Sequence, residues 1–191
     1  MGFSGHLVFA CSDGSLLRAP VFEGVDEELR DTVQAWPSRA GGWHTLQLEH
    51  GLWEDGDLPA LVEWSGAPAC VAVVSDSDLA LVTGLRPDRT GWQAWLNLDA
   101  AAALLVEEPE DVDDMSEWLG TPGFDEAVRR KRAELEAEVP AAAEGALGWA
   151  AAAGVTPVAQ QSRVEELLLS REVFVEELFG ALLDELGFRE A

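Results

Sequence analysis

Lysine is nearly absent from this chain. Only one of the 12 basic residues is a lysine, and 36 acidic residues give a formal net charge of −24 over 191 residues. Binding to nucleic acids and to anionic membranes depends on Lys and Arg, so we expect neither as a partner. Electrostatic steering instead favours cationic ligands, basic proteins and divalent metals. Solubility and adaptation to high salt also explain such a surface.

Other absences narrow the class of protein. The two cysteines, Cys11 and Cys70, are isolated in apolar runs, which excludes a disulfide framework and a zinc site. No hydrophobic run approaches the ~20 residues of a membrane span. The first ten residues lack the basic stretch of a secretory signal, so we expect a cytoplasmic protein.

Known catalytic motifs are also missing. The chain has no G-x-S-x-G, Ser-x-x-Lys, P-loop or G-x-G-x-x-G pattern. We therefore expect no cofactor and no metal, and we favour a protein that is not an enzyme. Catalytic triads are recognised by geometry rather than by motif, so an enzyme stays open as an alternative.

The first hundred residues show the pattern of a sheet. Period-2 alternation and turn residues predict strands over 6–10, 43–49, 70–74, 79–83 and 92–98, with 16–19 as a partner of the first. The short connection 75–78 predicts an antiparallel hairpin. Short helices are expected over 26–34 and 59–65, and another over 99–107 with Asp99 as its N-cap.

The second half of the chain has the pattern of helices only. We expect helices over 124–138 and 140–153, with Pro122 near the first position of the former. A capping box at 162–165 and an apolar stripe over 172–186 predict two more, the last ending at Gly187. The fold class is α+β, a mostly antiparallel sheet packed by helices. We divide it into an α+β domain, 1–106, and a helical region, 107–191, or else one domain.

An acidic segment lies at that division, with seven acids among residues 107–117. Clustered carboxylates could hold Ca²⁺ or Mg²⁺, but the D-x-D-x-D-G spacing of a calcium loop is missing. A solvated helix N-terminus and a patch that binds a protein are the alternatives. If the segment is a patch that binds a protein, charge reversal at its central acids should slow association with that protein several-fold. These acids are Glu110, Asp111, Asp113 and Asp114.

Two histidines lie on the predicted strand 43–49 and just beyond it. His44 and His50 are six residues apart and project from the same face as Leu46 and Leu48. They lie about 20 Å apart at ~3.3 Å per residue, too far to share one metal ion. Either could act as an acid or base beside Asp55 or Asp57. Structural histidines are the alternative.

Six of the eight tryptophans lie in the first half of the chain. On the strand 92–98, Trp95 faces away from Trp92, so at least one of them should leave the main core. An exposed tryptophan beside acids makes a hot spot for a partner or a cage for a cation, and Trp43, Trp53 and Trp95 are the candidates. Packing in the core is the alternative.

The only basic run is Arg129-Arg130-Lys131-Arg132. On a helix it alternates with acids four residues away, which indicates a helix laced with ion pairs rather than a nucleic-acid patch.

Several stretches resemble uncharacterised proteins of high-GC actinobacteria. They are GGWHTLQLEHGLWEDG, GAPACVAVVSDSDLALVTGL, EEPEDVDD and FVEELFGALLDELGF. The resemblance covers most of the chain as a general similarity without a defined motif, and it implies no activity, cofactor or catalytic residue.

These observations lead to three hypotheses. The first is a non-catalytic cytoplasmic protein, inhibitor-like, immunity-like or regulatory, that binds a basic protein through an acidic surface bearing tryptophan. The second is a hydrolase with His44 or His50 beside carboxylates. The third is a nucleic-acid mimic whose carboxylates imitate phosphates. A homodimer is compatible with the apolar stripe of the last helix.

Overall fold

The computed structural model describes residues 2–107, 109 and 115–191. Six strands form one sheet: β1 (Gly5–Cys11), β2 (Gln34–Ala35), β3 (Trp43–Glu49), β4 (Ala69–Ser75), β5 (Leu79–Leu85) and β6 (Gly91–Leu96). Their order is β2-β3-β1-β4-β5-β6, and every neighbouring pair is antiparallel. The expected α+β fold with an antiparallel sheet in the first half is confirmed.

Seven helices accompany the sheet in the described part of the chain. They are α1 (Glu27–Arg30), α2 (Asp57–Ser65), α3 (Leu98–Leu105), α4 (Met115–Trp118), α5 (Pro122–Ala152), α6 (Gln161–Leu168) and α7 (Val175–Glu185). Across the described residues, none of these helices is both long enough and apolar enough to cross a membrane.

One face of the sheet carries the larger, first core. Alternate residues of β1, β4, β5 and β6 pack there against α3, α5, α6 and α7. Its aromatic centre is tight: Phe9 stacks on Trp43 at 5.1 Å between ring centroids, and Phe188 meets Trp43 edge to face at 4.8 Å. The first core therefore joins residues from both halves of the chain.

The opposite face carries a smaller, second core. Val8, Leu46, Leu48 and Val71 pack there under α2 and under the loop that contains Leu16 and Phe22. This cover lies on β3, β1 and part of β4, and it also reaches the end of β5 at Leu85. Among the described residues, the second core does not extend to Val73, Leu81 or Trp95.

The structure corrects four local expectations. Residues 16–19 form a short 3-10 turn, Leu16–Arg18, instead of a strand. Asn97 rather than Asp99 occupies the N-cap position of α3. Helix α6 begins at Gln161, and no side chain caps it, so the capping box at 162–165 does not form.

The fourth correction concerns Pro140, which was expected to separate two helices. Helix α5 continues through it over 31 residues. A proline inside a helix costs about 3 kcal/mol. However, the buried side of α5 continues on both sides of Pro140. Its packing against the sheet offsets that cost, and the residues concerned include Leu135, Val139, Ala143 and Trp149.

The C-terminal end is tied to the far edge of the sheet. The buried guanidinium of Arg39 contacts the carboxylate of Asp184 and donates to the Phe188 carbonyl oxygen. Beside it, the Ala40 N–H donates to the Arg189 carbonyl at 2.8 Å, and the Ala191 N–H donates to Ser38 at 3.1 Å. As predicted, Gly187 ends α7 with a φ of +97°, and Phe188 is buried against the helix.

Candidate functional site

The part of the second sheet face beyond α2 is open, and we call it the open face: Val73 on β4, Leu81 and Thr83 on β5, and Gln93 and Trp95 on β6. The strand register places three of these in one row, since Val73 lies opposite Leu81 and Leu81 opposite Trp95. Val73 is 43% exposed, and Leu81 and Trp95 are half-buried. Exposed apolar side chains that form a contiguous patch mark an interaction surface more often than scattered ones do.

A groove runs between this face and the start of α2. Asp55, Leu58 and Pro59 form one wall, and Thr83 and Gln93 lie on the other side; its volume is about 540 Å³. The Gln93 side-chain amide donates to the Thr83 hydroxyl at 3.1 Å across the floor. The groove thus combines an apolar lining, a neutral polar pair and one carboxylate.

His6 continues the row of the open face, because it lies opposite Val73 on the neighbouring strand β1. Its ring meets that of His50 edge to face, with centroids 6.1 Å apart. Burial is the largest effect on the pKa of His6 and lowers it, and the neighbouring His50 lowers it further. The nearby carboxylates of Asp55 and Asp57 raise it. The Nδ1 atom of His6 is buried and has no hydrogen-bond partner among the described residues.

The two histidines that the sequence marks as candidate acids or bases, His44 and His50, therefore lie at different places in the fold. His50 lies against His6, and the carboxylates of Asp55 and Asp57 are near His6. His44 lies at the other end of β3, where its Nε2 is 3.3 Å from the carbonyl oxygen of Ser12. The groove beside α2 and four further cavities among the described residues have no histidine in their lining, so none of these five offers an enclosed site for the acid or base chemistry expected of His44 or His50.

The tryptophans divide between interior and surface. Trp43 is 4% exposed in the first core and Trp53 is 7% exposed in the second, so neither ring is presented to a partner. Their aromatic neighbours explain this: Trp43 stacks on Phe9, and Trp53 contacts Phe22 at 6.4 Å between centroids. Trp95 alone of the three candidates reaches the surface, while at the sheet edge it also packs against the first core. Trp92 is buried, as the alternation on β6 predicts.

The acidic candidates Glu110, Asp111, Asp113 and Asp114 lie outside the described residues. Among the residues that are described, no group of three or more His, Cys, Asp or Glu is placed to hold a metal ion. The two cysteines are free thiols, and burial raises the pKa of both. Neither thiol therefore has the lowered pKa of a reactive nucleophile.

Three residues of the basic run on α5 form ion pairs, in agreement with the predicted helix laced with ion pairs. Lys131 contacts Glu134 at 2.7 Å, and Arg130 lies 3.8 Å from Glu126. Arg132 contacts Asp99 at 2.5 Å as well as Glu136.

Sequence reasoning missed most of the open face and the role of His6. Strands β4 and β5 are apolar on both faces, so their pattern does not indicate which face is covered. One feature was available in the sequence, since His6 alternates with Val8 and Ala10 and shares their face. Its contact with His50 requires the pairing of β1 with β3, which only the fold supplies.

No family model, curated protein or solved structure matches this chain. The resemblance to uncharacterised actinobacterial proteins therefore stays a prediction.

Proposed function

We propose that this chain is a non-catalytic binding protein that takes up a segment of a basic protein on its open face. The observation that carries the proposal is the row Val73–Leu81–Trp95, one exposed and two half-buried apolar side chains on a sheet face that α2 covers only in part. Burying this row against a partner would gain about 25 cal/mol per Å² of apolar surface.

The charge of the chain supports a basic partner. The net charge is −24, and Asp55 lines the groove on the wall opposite Gln93. Opposite charges accelerate association and suppress wrong partners, so this surface favours a cationic segment with apolar side chains. Tryptophan is among the residue types that most often dominate binding energy, and Trp95 is the tryptophan of this face.

The experiment is site-specific photo-crosslinking in lysate of the source cells. A benzophenone amino acid replaces Val73 or Gln93 on the open face; Val173, which is 79% exposed between α6 and α7, is the control position. We expect one basic protein to be captured from both open-face positions and not from the control, with the yield falling as salt rises. The Trp95→Ala variant should weaken binding of that protein at least tenfold. Equal capture from all three positions, or none from Val73 and Gln93, contradicts the proposal.

A hydrolase is the second candidate, favoured by the contact between His6 and His50 and by the carboxylates of Asp55 and Asp57 near His6. One of these histidines would act as a general base towards water. A panel of chromogenic esters and phosphoesters tests it: turnover should be lost in His50→Gln and kept in His44→Gln. Turnover that is absent from the unaltered protein, or equal in both variants, contradicts it.

A further inference from the structure

Strand β6 forms one edge of the sheet, and its register shows which of its backbone groups are unpaired. The Arg86 N–H donates to the Thr90 carbonyl at 3.0 Å, so this pair is the first hydrogen-bonded pair of the β5–β6 hairpin. Hydrogen-bonded and non-hydrogen-bonded pairs alternate along an antiparallel ladder. Gly91, Gln93 and Trp95 therefore direct their backbone N–H and C=O groups away from β5.

These outward groups have no partner within the described ranges of the chain, where no hydrogen bond reaches the backbone of Gly91, Gln93 or Trp95 from outside the sheet. Gly91 and Gln93 are exposed, and Trp95 is half-buried. The edge is thus accessible at Gly91 and Gln93 and partly accessible at Trp95.

The two edges of the sheet differ in how they are protected. Strand β2 has two residues, and the segment that follows it pairs with the C-terminal residues through Ala40 and Ser38. Strand β6 has six residues, Gly-Trp-Gln-Ala-Trp-Leu, without a charge or a proline, although 25% of the chain is charged. Proteins usually protect an exposed edge with charge, proline or a very short strand, and β6 has none of these.

We propose that an extended segment of a basic protein adds to β6 as a further strand of the sheet. The inference rests on the proposed function and specifies how the open face is bound. Backbone hydrogen bonds to Gly91, Gln93 and Trp95 provide the attachment, and the side chains of the added strand alternate between the two faces. Those on one side extend the row of Val73, Leu81 and Trp95; those on the other point towards α5.

One carboxylate lies near β6 on each face of the sheet. Glu138 of α5 is exposed and lines a narrow gap against Gln93, Ala94 and Trp95. Asp55 lines the groove at the open face, on the wall opposite Gln93. Lysine or arginine in the added strand meets a carboxylate on either side. A second copy of this chain would instead bring another −24 charge to the same edge, which repulsion opposes.

The test compares two substitutions of one residue. Gln93→Pro removes an outward N–H that β5 does not use, so the ladder of the sheet stays intact while an added strand loses a hydrogen bond and meets the proline ring. Gln93→Ala removes the side chain and its bond to Thr83 but keeps the backbone donor. Thermal unfolding of both variants verifies that each is folded.

The probes are labelled peptides measured by fluorescence anisotropy at low salt. They are an eight-residue peptide of alternating valine and lysine, the same peptide with alternate backbone amides methylated, its valine–glutamate counterpart, and an amphipathic leucine–lysine helix. We expect only the first to bind, with its Kd within twofold for Gln93→Ala and at least tenfold weaker for Gln93→Pro. The methylated peptide tests the same hydrogen bonds on the unaltered protein, even if Gln93→Pro does not fold.

Each other outcome overturns strand addition. No binding up to 1 mM peptide, equal binding of the methylated peptide, or preference for the helix excludes it. A dimer of the unaltered chain that becomes a monomer in Gln93→Pro, measured by light scattering, assigns the edge to a second copy. Photo-crosslinking at Val73 and Gln93 is independent of these results, so the proposed function survives the loss of strand addition if those crosslinks form.

Discussion

His50 lies against His6 with the two ring planes at 87° and the centroids 6.1 Å apart. The pair joins the residue after β3 to the start of β1, at the border of the open face. His50 disfavours protonation of the half-buried His6 ring, because two like charges would then lie close together.

The first prediction concerns the pKa of His6. Burial lowers it most and His50 comes second, so His50→Gln should raise the pKa of His6 towards 6.5 without reaching it. NMR titration of the His6 ring protons measures the shift. His44→Gln is the control, since His44 lies at the opposite end of β3, and it should leave the pKa of His6 unchanged. A His6 pKa that does not move in His50→Gln contradicts the coupling.

The second prediction is a pH dependence of stability. The pKa of His6 is lower in the folded protein than in the unfolded chain, so the unfolded chain binds the proton more readily. The contribution of His6 to the free energy of unfolding is therefore complete above pH 6.5, and it decreases as the pH falls through the interval between 6.5 and the lowered folded value. Denaturant unfolding at a series of pH values should show a smaller decrease over this interval for His6→Gln than for the unaltered protein. An equal decrease in both assigns it to other groups.

The third prediction uses two glycines of α5. A Cβ on Gly145 would come within 2.7 Å of the Trp92 Cβ, whereas a Cβ on Gly148 would meet nothing within 4 Å. Gly148→Ala should stabilise the protein by about 0.5–1 kcal/mol, because alanine is the better helix former. Gly145→Ala gains the same propensity but should destabilise the protein by about 1–3 kcal/mol through overpacking against β6. Denaturant unfolding measures the free energy of unfolding of both variants. Equal changes in the two would mean that α5 does not pack closely against Trp92 at Gly145.

The fourth prediction concerns the buried Arg39. Asp184→Ala leaves a guanidinium that is 7% exposed without its counter-charge, and we expect a loss of about 2 kcal/mol or more. The loss should stay below that of a fully buried pair, since the Asp184 side chain is 61% exposed. Glu166→Ala is the matched control: it removes an ion pair with Arg163 in which both partners are mostly exposed, and it should cost less than about 1 kcal/mol. Similar losses in the two variants contradict a structural role for Arg39.

The strand positions could be predicted where one face of a strand differs from the other or where turns bound it closely. Strand β3 runs from Trp43 to Glu49 as predicted, because two glycines precede it and Gly51 follows its end. The hairpin of β4 and β5 follows from the short connection between two apolar runs. The sequence predicts two helices in place of α5, because proline has a low helix propensity and Pro140 lies between them. The packing of α5 on the sheet keeps the helix continuous through Pro140.

The candidate site could be predicted only in part. Trp95, His50, Asp55 and Asp57 were named from their patterns, and they do lie at or beside the open face. Trp43 and Trp53 were named by the same reasoning and are buried, because residue type does not separate a tryptophan that binds a partner from one that packs.

The sequence by itself determined the charge, the α+β class and the approximate positions of the strands. These properties depend on composition and on periodicity, which are local and need no partner element. Only the tertiary structure decided that α2 covers part of the second sheet face, that His6 meets His50, and that β6 is the unprotected edge. Each of these depends on which strands are neighbours, and strand pairing is set by contacts between residues far apart in the chain.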